Sequence, residues 1–161
     1  MQLSPHFTLR EFTKSQMAER LGIDNYPSPL HITNLTHLAT NLLEPLRTLV
    51  QKPIVITSGY RCPPLSEAIG SSSKSQHCVG NAVDIEVFGT STYDLADLIV
   101  TSLDFDQCIL ECYTGETNSG WVHVSLVQEN NRQEVLTYDK VNGYRKGLIK
   151  LENKFIQIDE L

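Results

Sequence analysis

No stretch of this chain approaches the roughly 20 apolar residues that a membrane-spanning helix needs. The N-terminus, MQLSPHFTLREF, lacks the basic segment and apolar run of a secretory signal. The expectation is a soluble protein, exported, if at all, by a route not written in the chain. Lysine and arginine form no cluster, and the 13 basic residues are outnumbered by 19 acidic ones, for a net charge of −6. That balance serves solubility and argues against a nucleic-acid binder. Internal repeats and low-complexity tracts are absent. Cysteine is sparse: Cys62, Cys78, Cys108 and Cys112 show no zinc-ribbon spacing. Cys108 and Cys112 stand too far apart along one apparent strand to bond each other. Reduced, mostly buried thiols are expected, with Cys62 and Cys78 the one pair to consider for a disulfide.

What remains is ordinary globular material, 40% hydrophobic and 20% charged over 161 residues, enough for one core and short for two. TLREFTKSQMAERLGID reads as a helix with Thr8 as N-cap, Glu11 three residues on and Gly22 as the stop. HITNLTHLATNLLEPLRTLV has helical apolar spacing, with Pro45 expected to kink it. KPIVITSGY is a short strand. RCPPLSEAIGSSSKSQ, with two prolines and a serine run, is expected to be irregular and exposed. AVDIEVF alternates as a strand, and STYDLADLIVTSL is a helix capped by Ser91 or Thr92. QCILECY and WVHVSLV form strands about TGETNSG, and QEVLTYD precedes an Asn-Gly turn at 142–143. The tail, KLENKFIQIDEL, is ambiguous. Helices first, then strands with one inserted helix, define an α+β class with a mainly antiparallel sheet. The expected division of this single domain is a helical part about 5–50, a sheet part about 51–140 and a tail 141–161.

The stretch SQHCVGNAVDIEV sets His77 and Asp84 seven residues apart. Seven residues of strand span roughly 23 Å and seven of helix roughly 10.5 Å. The two side chains can meet only if the chain turns between them, and Gly80-Asn81 tolerates the left-handed conformation that a turn requires. On AVDIEVF, Val83, Ile85 and Val87 share one face and Ala82, Asp84 and Glu86 the other. On WVHVSLV, Val122, Val124 and Leu126 oppose Trp121, His123 and Ser125. Each strand therefore pairs a core face with a face bearing one good metal ligand. His77, Asp84 and His123 form a plausible catalytic zinc set, three protein ligands with a position left for water.

A turn centred near 115–119 would set Glu111 opposite His123 or one residue off it, where a carboxylate can serve as general base. Arg61, after the Ser-Gly-Tyr that ends the first strand, offers a planar fork for a substrate carboxylate. Taken singly, each has a plainer reading: a strand histidine is usually a satisfied structural residue, Asp84 a turn acid, Glu111 a solvated face, Arg61 a surface ion pair. The combination, with a turn where geometry demands one, favours a site. His6, His31 and His37 lie in or near the N-terminal helices and are taken as structural.

At these residues the sequence resembles the D-Ala-D-Ala carboxypeptidase family of zinc peptidases, and more closely its subgroup common in phage-encoded proteins. The matching pieces are HFTLREFTKS, LEPLR, ITSGYRCPPLSEAIG, SQHCVGNAVDIEV and GWVHVSL, in that order over residues 6–126. The resemblance implies the Hedgehog / D-Ala-D-Ala peptidase-like fold and one zinc ion held by His77, Asp84 and His123. It implies a carboxylate acting on water, Arg61 gripping substrate, and Ser75, Gln76 and Trp121 lining the site. Many members carry the catalytic acid three residues before the last histidine, where this chain has Gly120; the subgroup's glutamate on the preceding strand corresponds to Glu111, with Glu116 in reserve. The implied activity is hydrolysis of peptidoglycan stem peptides, as a carboxypeptidase or an endolysin-type endopeptidase. The implied setting is the host cytoplasm, followed by the bacterial wall. The alternative is a non-catalytic wall-binding or virion module of the same fold. A monomer, without membrane or nucleic-acid partners, is the expected state.

Overall fold

The computed structural model describes residues 1–151; the remainder of the ambiguous tail, 152–161, lies outside the described residues. A two-stranded hairpin, β1 (Gln2–Ser4) and β2 (Phe7–Thr8), precedes the first helix and was not foreseen. The expected helix over 8–22 is two helices, α1 (Leu9–Thr13) and α2 (Gln16–Leu21). Its predicted ends hold. Thr8 and Glu11 form a capping box and Gly22 closes the C-terminus in the left-handed conformation. The break has two causes: Ser15 accepts from the Ala18 N–H as a fresh N-cap, and the buried Asn25 amide takes the Thr13 carbonyl at 3.0 Å, an acceptor that a continuous helix would have used internally.

The long helix begins at α3 (Pro29–Leu38) and ends with α4 (Glu44–Val50). Between them runs a π-helical turn, Ala39–Leu43, in which the Glu44 N–H reaches back to the Ala39 carbonyl. Proline has no N–H and its ring crowds the carbonyl four residues earlier, so the widened turn absorbs what was expected as a kink at Pro45. Next come β3 (Val55–Ser58) and α5 (Pro63–Ala68). The latter corrects the expectation of an irregular, exposed stretch. Both prolines sit in the first turn, where no N–H is needed, and Leu65 and Ser66 are buried. A 3₁₀ turn, Gln76–Val79, leads into β4 (Ala82–Glu86). α6 (Thr92–Ser102) follows, capped by Ser91, then β5 (Gln107–Glu111), β6 (Trp121–Ser125), β7 (Glu134–Asp139) and β8 (Gly143–Lys146). The sheet thus continues past residue 140 into what was read as tail.

The six strands are ordered β3-β4-β6-β5-β7-β8. Every pairing is antiparallel except β5–β7, so the α+β, mainly antiparallel expectation stands. One face of the sheet is apolar: Val83, Ile85, Cys108, Leu110, Val122 and Val124 join Leu35, Leu38, Leu42 and Leu46 of the N-terminal helices in one core. The opposite face carries the chemistry. All four cysteines are free thiols, including Cys62 and Cys78, and Cys112 alone is not fully buried. Burial pushes the Cys108 thiol up to about 12, which keeps it inert. Among the described residues no helix is long and apolar enough to cross a membrane.

Candidate metal centre and active-site cleft

The polar face of the sheet is built in transverse rows. Asp84 on β4 pairs directly with His123 on β6, and His123 with Ile109 on β5. The next row along runs from Trp121 to Glu111, then Tyr138 and Tyr144. Directly paired residues project to the same side, so both rows open into one cleft of about 640 Å³ that these residues line together with His77, Gln76 and Arg61.

His77 arrives from outside the sheet. Gly80, at φ +80°, ends the 3₁₀ turn and sends the chain back into β4. A Cβ at Gly80 would stand 2.6 Å from the His31 carbonyl, so α3 presses on the turn and only glycine fits. Of the two residues that tolerate the left-handed conformation, Gly80 adopts it and Asn81 does not. The His77 Nδ1 donates to the Gly59 carbonyl at 2.7 Å. Because a carbonyl only accepts, neutral His77 turns the lone pair of Nε2 towards Asp84 Oδ1, 3.4 Å away. His123 Nδ1 lies 3.1 Å from the same oxygen, and the two rings are 5.1 Å apart.

One donor atom from each of His77, Asp84 and His123 lies within 4.8 Å of the others. Two facing acceptors with an imidazole beside them suit a cation: a divalent ion replaces the proton on His123 and relieves the lone-pair opposition at His77. Burial alone would push the Asp84 carboxyl up, but the hydrogen bond from His123 and the closeness of both imidazoles hold it well below the usual carboxylate range, so it is anionic throughout the neutral range. The group could hold a metal ion, and its neutral-imidazole and carboxylate donors fit zinc.

Glu111 lies neither opposite His123 nor one residue off it, the two placements that a turn centred near 115–119 would give. It pairs with Trp121 and meets His123 on the diagonal. The cause is the 112–120 connection, which closes immediately after β5. Cys112 adopts φ 56°, and a Cβ on Gly120 would lie 2.7 Å from the Cys112 carbonyl carbon. No side chain fits at Gly120, the position where many of the resembled enzymes carry their acid. The displacement leaves Glu111 on the same face, between Trp121 and Tyr138. Burial pushes its carboxyl above the ordinary glutamate range, the Asp84 charge adds to this, and His123 and Arg61 pull it back. Glu116 is exposed in the 112–120 loop and is not among the cleft-lining residues.

Arg61 lines the cleft, and its Nε is buried without a hydrogen-bond partner among the described residues. Its backbone N–H donates to the His77 carbonyl. Ser75 and Gln76 also line the cleft: Ser75 Oγ accepts from the His77 N–H, and Gln76 Nε2 donates to Asp106 at 2.9 Å. Asp106 is buried and gripped by Arg132 at 2.8 Å, an anchor that sequence reading passed over. His6 binds Glu44, His31 lies against Tyr60, and His37 meets Asn41, all outside the cleft lining.

Asn25 was also missed. Its amide donates to the Thr13 and Tyr60 carbonyls and its oxygen accepts from the Cys62 N–H, so one buried side chain pins both flanks of Arg61. Asn25→Ala leaves three backbone groups unpaired. It should cost roughly 2–4 kcal/mol and raise KM more than it lowers kcat, which denaturation and steady-state kinetics would measure together. Tyr138 and Tyr144, in tilted contact with ring centroids 4.6 Å apart, also line the cleft. No local signal marked them, because β7 reaches the site through parallel pairing with a strand from which two connections separate it.

An α+β sheet that presents two imidazoles and a carboxylate in an open cleft, with a half-buried glutamate beside them, has the parts of a metal-dependent hydrolase. The peptidase M15 family model matches residues 5–125. The chain belongs to that family, the D-Ala-D-Ala carboxypeptidase-like zinc peptidases, whose substrates are of peptidoglycan type. No curated protein matches the chain.

Proposed function

We propose that the chain, as a single domain over 1–161 with the Hedgehog / D-Ala-D-Ala peptidase-like fold, hydrolyses peptide bonds in bacterial peptidoglycan stem peptides, in the manner of a phage lysin. The reading rests above all on the convergence of His77, Asp84 and His123 donor atoms within 4.8 Å beside a carboxylate that burial has made more basic. In it, His77, Asp84 and His123 hold one zinc ion. Bound zinc lowers the pKa of water towards about 7 and polarises a carbonyl. Glu111 takes a proton from the attacking water and delivers it to the leaving nitrogen. The spare Nε donor of Arg61 grips a substrate carboxylate, Trp121 and the two tyrosines flank the peptide, and Ser75 and Gln76 hold the His77 loop in place.

The test is incubation with purified peptidoglycan of several chemotypes, reading new amino groups with and without chelator. Release is expected from the zinc-loaded protein, loss on chelation and recovery on adding zinc back. No release from any chemotype by protein of full zinc content would instead assign the chain to a non-catalytic wall-binding role.

A further inference from the structure

A second groove, of about 530 Å³, adjoins the catalytic cleft and shares Arg61 and Ile69 with it. One side of it is lined by Thr57–Tyr60, the last two residues of β3 and the two that follow the strand. β3 is the terminal strand of the sheet among the described residues, so Thr57 and Ser58 have no strand partner on their outer side, a short edge that can accept the main chain of an extended peptide. Beyond it the edge is closed, because the Tyr60 N–H donates to the Phe12 carbonyl of α1 at 2.7 Å and the Gly59 and Tyr60 carbonyls accept from His77 and Asn25. The facing wall comes from α1 and α2 and contributes Arg10, Lys14 and Glu19. In a chain of net charge −6, this groove therefore presents three cations and one carboxylate. Neither Arg10, Lys14 nor Arg61 has a carboxylate within 4.0 Å among the described residues.

We propose that this groove is a second peptide subsite, which takes a carboxylate-bearing segment of the substrate extended along the β3 edge, with Arg61 at the junction where that segment enters the catalytic cleft. The proposal rests on the peptidase reading above and sharpens its substrate class. A peptide that fills both clefts has residues on each side of the bond cut, so the geometry favours an acidic stem peptide cleaved internally over a free dipeptide. The chemistry is charge pairing at a partly screened surface plus main-chain hydrogen bonding, so selectivity for acid over amide is the signature.

The experiment uses the full zinc-loaded chain and two synthetic stem-type peptides that differ only in a free carboxylate or its carboxamide. The wild type should prefer the acid. Arg10→Gln combined with Lys14→Gln should raise KM for the acid about fivefold, bring the acid-to-amide ratio of kcat/KM towards one, and leave the pair less sensitive to added salt. Arg10→Lys with Lys14→Arg should keep the preference. Calorimetric titration of both peptides into Glu111→Gln reads the same preference without turnover. Turnover with no acid preference, or a preference untouched by the double neutral variant, overturns the subsite and spares the peptidase reading. Acid-selective binding without turnover in the wild type does the reverse.

Discussion

Asp84→Asn should cost the protein its metal. The substitution keeps the size of the side chain and can still hydrogen-bond His123, so the sheet around β4 and β6 is undisturbed. What disappears is the only anion in the His77–Asp84–His123 group. Two neutral imidazoles and an amide oxygen stabilise a dication far less than a donor set containing a carboxylate. Since even neighbours of metal ligands command roughly 10–100-fold in affinity, a ligand anion should command more than a hundredfold. Zinc content after dialysis should fall to background, and the thermal upshift that zinc gives the wild type through mass action should vanish. The metal-free proteins should differ in acid. The Asp84 carboxyl is held below its ordinary value of 3.8, so its ionised form contributes stability that is complete above that value and is lost as pH falls through the lowered one. Metal-free Asp84→Asn should lack that acid-limb loss. Full zinc retention by the variant would move the metal centre away from these residues.

The same residue shows how much of the site was legible in advance. His77 and Asp84 could be paired because neither helix nor strand lets them meet, leaving a turn as the only solution. The requirement is local, and the chain meets it with the 3₁₀ turn that Gly80 ends. Why the turn must be glycine was not local: the obstruction is the His31 carbonyl on α3. The same division runs through the fold. Thr8, Gly22 and the Ser91–Thr92 pair, of which Ser91 is the cap, were readable because a cap acts within one turn. The break at Ser15 was not, because Asn25, ten residues on, draws off the Thr13 carbonyl. Prolines 63 and 64 were weighed as breakers when their position at the start of α5 makes them initiators. β7 was found as a strand, but its parallel partner β5, and with it the place of Tyr138 beside Glu111, depended on the path of the chain between them. Residues whose role is set by spacing along the chain were readable. Those whose role is set by what another segment presses against them were not.

Glu111→Gln should abolish turnover while leaving the zinc in place. Glutamine is isosteric with glutamate and keeps the contacts with Trp121 and Tyr138 on either side, but cannot take a proton. Loss of a positioned general base lowers kcat by roughly 10²–10⁴-fold, with KM little changed, since in the proposed reading Arg61 and the cleft walls grip the peptide. The pH dependence follows from the upward shift. Catalysis needs the carboxylate, so the acid limb of kcat/KM should lie above the ordinary glutamate value of 4.5, moderated by the cation once zinc is bound. Stability in the metal-free protein runs the other way. A carboxyl whose folded value is raised holds more protons in the native state than in the unfolded one between the two values, so stability is full below 4.5 and declines as pH rises through the raised value. At neutral pH an ionised Glu111 is a cost of folding, imposed first by burial and then by the Asp84 charge. The metal-free glutamine variant should therefore melt at or above the wild-type temperature at pH 7, and lose that advantage near pH 4. An inactive, zinc-replete, equally stable variant is the pattern of a catalytic group; a variant that keeps full activity would transfer the proton to another acid, with Glu116 the first to replace.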